Sequence, residues 1–164
     1  MEDVINVLSR WVHIGTVIVL IGGMAFQRFV LLPSAAELPD AEHDKLRAAV
    51  MGRWKKFVHI GIGLLLLTGF YNYLGAPTPA APPISWKLYH PLVGTKILIA
   101  LVLFAMSSGM VGRSNAFAGL RANPKRTLAI MLMLAAVIVG ISGVLKVGGA
   151  KAMRAKISVS NSEQ

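Results

Sequence analysis

A chain of 164 residues with 55% hydrophobic content and a mean hydropathy of +0.63 is one domain, too apolar for an ordinary soluble core. Its formal charge of +10 does not mark a nucleic-acid partner. The basic residues fall between apolar runs, without the Lys/Arg stripe interleaved with exposed aromatics that such a surface needs, and they suit lipid headgroups and membrane topology instead. Cysteine is absent, which excludes disulfides, iron–sulfur ligation and thiolate metal sites.

The first apolar run covers about 7–32 and ends at Pro33; from Trp11 to Gln27 it holds no Asp, Glu, Lys or Arg. Glu2 and Asp3 at the start, and the length of the run, argue against a cleavable signal peptide, although Pro33-Ser34-Ala35-Ala36 has the small residues of a cleavage site. Pro39-Asp40 reads as a helix start with Asp40 as N-cap. Glu42, Asp44, Lys45 and Arg47 then continue without proline into Met51–Lys56. This predicts one long second helix over 41–74, its polar first third outside the bilayer, a kink at Gly52 and a span over 54–74.

Residues 75–83 form a Pro-rich, polyproline-like connector. Pro91 suits the first turn of a third helix over 91–113. Arg113–Arg126 is a short basic loop, the fourth span covers 125–147, and Lys151–Gln164 reads as a polar, mobile tail. Each run is about as long as a helix must be to cross a hydrocarbon layer of ~30 Å at ~1.5 Å per residue. The expected fold is all-α, an integral-membrane four-helix up-down bundle with sequential helices antiparallel. Glycines such as Gly15, Gly22, Gly23, Gly61, Gly63 and Gly69 would let backbones approach or make room for a bulky planar ligand.

Orientation follows from the basic residues. Arg28, Lys45, Arg47, Arg53, Lys55, Lys56, Arg113, Arg121, Lys125 and Arg126 fall on the side of the first and third connections. Arg10, Lys87, Lys96, Lys146, Lys151, Arg154 and Lys156 fall on the other. The excess places the two basic connections in the cytoplasm and both termini outside it, in a multi-pass protein of the plasma (inner) membrane.

Antiparallel threading turns these positions into depths. His13 and His90 share the outer side, and His59 falls at the inner side near the level of Arg28 and Arg113. A histidine within a span is costly without a partner, so His13 is a functional candidate by default. Imidazole ligates haem iron, copper and zinc, and haem b needs no Cys-x-x-Cys-His attachment. His13 and His90 can therefore be two axial ligands, or one ligand and one supporting group. Each has a plainer reading: His13 as a histidine bonded to a neighbouring helix, His90 as a boundary cap beside Trp86 and Tyr89. His59, followed by Gly61 and Gly63 on an expected interior surface, is a third candidate ligand or an interfacial side chain. His43, among Asp40, Glu42 and Asp44, reads as solvated.

Arg28 and Lys96 end apolar runs, where they either snorkel to headgroups or pair with haem propionates or a quinone oxygen. Eight methionines invite a copper reading, but Met106/Met110 and Met131/Met133 form no Met-x-x-Met ladder with histidine, which favours packing. Paired carboxylates, a nucleophile–base pair and a phosphate loop are all missing, which argues against hydrolytic chemistry.

The first span, Arg10-Trp11-Val12-His13-Ile14-Gly15 through Gly22-Gly23-Met24-Ala25-Phe26 to Leu31-Leu32-Pro33, resembles the first helix of the copper-resistance D (CopD) membrane domain. Leu67-Thr68-Gly69-Phe70-Tyr71-Asn72 looks like that family's second helix, and Gly94-Thr95-Lys96-Ile97-Leu98-Ile99-Ala100-Leu101 is similar to its lysine-bearing helix. The layout also resembles the HemJ-type protoporphyrinogen oxidases, with a His in the first helix, an Arg near its end and a Lys in the third. The resemblance covers about 8–113 and implies His13 as the ligand position, with Arg28 and Lys96 as supporting charges. His90 stands six residues before Lys96 and Arg28 is slightly out of register, a departure that bears on porphyrinogen oxidation and leaves the haem-binding expectation in place.

These readings converge on a haem b-binding membrane protein for electron transfer, with membrane quinone as a partner and an oxidoreductase activity open. The alternatives are a copper transport or homeostasis protein, and a structural subunit of a respiratory complex or homo-oligomer.

Overall fold

The computed structural model describes residues 1–74 and 86–162. All its regular elements are helical: α1 (Glu2–Phe26), a π-helical turn (Gln27–Leu31), α2 (Leu32–Ala35), α3 (Asp40–Leu74), α4 (Trp86–Val111), a 3-10 turn (Asn115–Phe117), α5 (Ala118–Ala122) and α6 (Pro124–Ser162). Four stretches are long and apolar enough to cross a membrane: Asp3–Ala35, Asp40–Leu74, His90–Val111 and Pro124–Leu145, with mean hydropathies of 1.8, 1.5, 1.9 and 2.7. Large apolar side chains along them stand exposed, among them Ile18, Phe29, Leu67, Leu98 and Met133. A water-facing surface would not tolerate such bands, whereas lipid tails match them.

Several boundaries differ from the sequence expectation, each for a local reason. Pro33 does not end the first helix. Proline removes one intrahelical bond and its ring crowds the carbonyl four residues earlier, here that of Phe29. The π-turn spans Phe29, and the Leu32 N–H reaches the Gln27 carbonyl, so a widened turn takes up the misfit and helix continues to Ala35. Asp40 is not the N-cap. The Pro39 carbonyl accepts the Glu42 and His43 N–H groups at 2.9 Å each, which makes Pro39 the cap and leaves Asp40 and Glu42 in the first turn, where their charge suits the helix dipole.

The second helix runs unbroken through Gly52. The third starts at Trp86 instead of 91 and carries Pro91 inside, where only the bond to the Lys87 carbonyl is forgone. The fourth begins at Pro124 and passes 147 to Ser162, through the segment expected to be a mobile tail; its Ala, Lys, Arg and Met content outweighs Gly148 and Gly149. The Pro-rich connector at 75–83 lies outside the described residues.

Two compact units divide the chain. The first holds 1–76 with 103–132, the second 77–102 with 133–164. In the first unit α1 and α3 pack closely along their lengths as an antiparallel pair. Asn6 meets Tyr71, His13 meets Thr68, Leu20 meets Gly61 and Gly23 meets Trp54, a register in which paired numbers sum to a nearly constant value. On α1 and the start of the π-turn the seam is Asn6, Ser9, His13, Thr16, Leu20, Gly23 and Gln27; on α3 it includes Val58, Gly61, Leu65 and Thr68. Both follow alternating steps of three and four, the spacing that keeps one stripe of a helix on its partner. The Leu20 side chain lies where a Gly61 Cβ would go, 2.9 Å away, so a larger residue there would push the helices apart.

The same unit contains the turn from α4 to α6. Arg121 donates from Nη1 to the Gly109 carbonyl (2.9 Å) and from Nη2 to the Ser114 carbonyl (2.6 Å). One guanidinium thereby satisfies an end carbonyl of α4 and fastens the loop to it. Thr127 Oγ1 donates to the Leu120 carbonyl at 2.8 Å, joining α5 to the first turn of α6. Within the second unit, Ala135 is buried on α6 and Ser142 Oγ donates to the Ile138 carbonyl at 2.8 Å in the same helix.

Candidate functional site

The α1–α3 seam changes character along its length. Its half nearer the N-terminus of α1 is polar, with Asn6, Ser9, His13 and Thr16 on α1 facing a stretch of α3 that holds Thr68 and Tyr71. The Tyr71 hydroxyl donates to Asn6 Oδ1 at 3.2 Å, and Ser9 Oγ is buried with no hydrogen-bond partner among the described residues. Polar groups cluster within this helix pair because each would be costly if turned to hydrocarbon.

His13 is the centre of that half. Its Nδ1 lies 2.8 Å from Thr68 Oγ1, and the Thr68 hydroxyl donates its one proton to the Leu64 carbonyl at 2.6 Å. With that proton committed, the Thr68 oxygen acts as an acceptor toward His13, so Nδ1 carries the imidazole proton and Nε2 carries the lone pair. This is the tautomer in which Nε2 is the metal-binding nitrogen, and an outer hydrogen bond of this kind orients a ligating ring. Thr68 is buried, and the ring lies beside Gly69, where a Cβ would make ordinary contact with His13 Cε1 at 3.4 Å.

The other sequence candidates fall elsewhere. His59 does not face the interior. It is exposed, its Nδ1–H donates to the Lys55 carbonyl one turn back at 2.8 Å, and Gly63 has open space where its Cβ would be. The stripe of steps 58, 61, 65, 68 faces α1, which turns 59 and 63 away. The register sets His59 nearest the level of Leu20, with Arg28 further along, opposite the stretch around Arg53.

Arg28 lies in the π-turn, 15 residues from His13 and so ~22 Å along the helix, too far to share a metal ion with it. Its guanidinium sits over the Phe29 ring at 5.5 Å, and its Nε is buried without a hydrogen-bond partner among the described residues. His90 and Lys96 belong to α4 in the second unit; six residues at 100° each leave them roughly 120° apart around that helix, on different faces. His43 lies 3.4 Å from Asp44 Oδ1, as suits a side chain at the aqueous end of α3.

Sequence reasoning missed Thr68, Gln27 and Trp54 as contributors. Thr68 comes opposite His13 only once the stripe 13, 16, 20, 23 is set antiparallel to 58, 61, 65, 68. Gln27 continues the same stripe and is buried, 5% exposed. No group of three or more His, Cys, Asp or Glu suited to a metal ion occurs among the described residues. A single-histidine site with a planar macrocycle needs no such group. No protein family, curated protein or solved structure was found to match the chain.

Proposed function

We propose that this chain is an integral-membrane electron-transfer protein that binds haem b through His13, with a lipid-soluble quinone as redox partner. The observation that carries this reading is the oriented imidazole. His13 sits inside an apolar span, with Nδ1–H committed to Thr68 and the ring laid against Gly69. A half-buried histidine in a purely structural role needs a partner, but it does not need a hydroxyl whose own proton is locked into the helix. The donor fits haem iron, which a neutral imidazole such as that of His13 would hold well.

When bound, the haem would supply one-electron chemistry between ferric and ferrous iron. The chain's own residues do the rest. Thr68 holds the ring and its tautomer, and the apolar side chains of the span exclude water. The four spans form an up-down bundle with both termini outside the cytoplasm, so that His13 lies toward the outer leaflet. His90 and Lys96 lie near the start of the third span, where they would be further candidates to hold the haem, and the likeness to the CopD and HemJ-type helices supports this reading.

The test is the optical spectrum of the purified protein with haem extraction. A Soret band with sharp reduced α and β bands is expected, at one or more haems per chain. Colourless protein from haem-replete cells that takes up no added haemin would overturn the proposal. Stoichiometric copper without porphyrin would point instead to copper handling.

A further inference from the structure

The last charged residues of α3 fall within one turn. Arg53, Lys55 and Lys56 are exposed, and from Phe57 to Leu74 the helix holds no Asp, Glu, Lys or Arg. At ~100° per residue the three point in three directions around the helix. Trp54 takes the fourth, where its ring meets Gly23 of α1. The basic side chains therefore form a collar around the sides of α3 that are not turned to α1. Along the helix axis the collar is only ~4.5 Å deep.

These cations are not neutralised within the described residues, where the only ion pair joins His43 and Asp44. After Asp44 no carboxylate occurs in the sequence until Glu163. Asp44 stands nine residues before Arg53, ~14 Å along α3, farther than the Debye length of ~8 Å at physiological salt. Lys45 and Arg47 differ in this respect, since they lie within a turn of Glu42 and Asp44. Arg28, in the π-turn that follows α1, adds a further cation with no carboxylate in ion-pair reach among the described residues.

We infer that the collar of Arg53, Lys55 and Lys56 binds the headgroups of anionic phospholipids and enriches them around α3 over zwitterionic ones. Its depth selects lipid. It stands at the foot of a charge-free run, and ~4.5 Å fits within one headgroup layer, roughly 5–7 Å thick by the difference between a ~30 Å hydrocarbon core and a ~40–45 Å bilayer. Lys and Arg stems can lie along the apolar side of that boundary while their charged ends reach phosphate. Its shape argues against an acidic protein. A docked protein reads one face of a helix, whereas a collar meets phosphates spread around it in the membrane plane. Near an anionic surface each Lys or Arg strengthens association about fivefold, so the headgroup's net charge is what is read. The inference goes beyond the proposed function and depends neither on haem nor on which end of α3 is cytoplasmic.

The test uses Trp54 as the reporter. Full-length protein carrying Trp11→Phe and Trp86→Phe keeps Trp54 as its only indole and is reconstituted in phosphatidylcholine vesicles. Phosphatidylglycerol or phosphatidylcholine with dibrominated acyl chains is then titrated in, and quenching of Trp54 fluorescence gives their relative affinities beside α3. Phosphatidylglycerol is expected to bind about fivefold more tightly or better. The preference should fall toward one at ~1 M salt, where the Debye length is ~3 Å. Arg53→Gln, Lys55→Gln and Lys56→Gln together should abolish it while quenching by brominated phosphatidylcholine stays the same, the sign that Trp54 keeps its place. Each single variant should lose part of the preference, which decides the matter should the triple variant fail to fold.

Equal affinity for the two lipids, a preference that survives high salt, or one retained in the folded variants would overturn the inference. So would salt-sensitive binding of polyglutamate to protein in purely phosphatidylcholine vesicles, lost in the same variants and accompanied by no lipid preference, the signature of an acidic protein partner.

Discussion

His13 and Thr68, 55 residues apart in sequence, are joined across the α1–α3 seam by a hydrogen bond in which Nδ1–H donates to a hydroxyl oxygen already committed as a donor to Leu64. The consequence is directional. The helix backbone fixes the threonine, and the threonine fixes the imidazole's tautomer and orientation.

Replacing Thr68 with valine keeps the shape and removes the oxygen. The imidazole then loses its orienting acceptor, and haem affinity is expected to fall about 10- to 100-fold, the usual effect of deleting a partner of a metal-bound histidine. Thr68→Ser, which retains the hydroxyl, should restore most of it. Haemin titration of the apoprotein checks both. Equal affinity in the valine and wild-type proteins would mean that the Thr68 bond only packs the helices.

Gly23 and Trp54 form a second pairing on the same seam. Any side chain at 23 meets the indole, so Gly23→Ala should cost about 1–3 kcal/mol through a displaced ring and altered helix spacing. Adding Trp54→Leu should recover part of that loss, because the two positions are in contact and their effects are not additive. Reversible unfolding in mixed detergent micelles measures both. Additive losses would show that the indole does not occupy this space.

Arg121 is expected to hold the α4–α6 turn. Its two charge-assisted bonds, to Gly109 and Ser114, are each of a kind worth about 1.5–3 kcal/mol when buried and less where solvent reaches them. Arg121→Ala should expose the turn and speed chymotryptic cleavage at Phe117, whose ring packs over Gly109 in the intact structure. An unchanged cleavage rate would mean that other contacts hold the turn.

The four long helices were legible because hydropathy alone decides whether a run of this length can face lipid. Their ends were less so. Pro33 and Pro91 read as boundaries because sequence shows the missing N–H but not the π-turn, or the near-terminal position, that absorbs it. His13 could be singled out by its place in an apolar run. Its partner could not, because a hydroxyl at 68 becomes meaningful only once the antiparallel register sets it opposite 13. His59 shows the converse. Its glycine-rich neighbourhood suggested an interior face, yet Gly61 and Gly63 point in different directions, and only the side occupied by Leu20 is interior.

The central claim is that His13 holds the iron, and spectroscopy of single histidine variants tests it most directly. Wild-type, His13→Ala, His59→Ala and His90→Ala proteins are purified in parallel and their haem content and reduced-minus-oxidised spectra compared. His13→Ala is expected to lose stoichiometric haem, His59→Ala to match the wild type, and His90→Ala to retain a five-coordinate or weakly bound haem. A His13→Ala protein with unchanged haem content and spectrum would contradict the account.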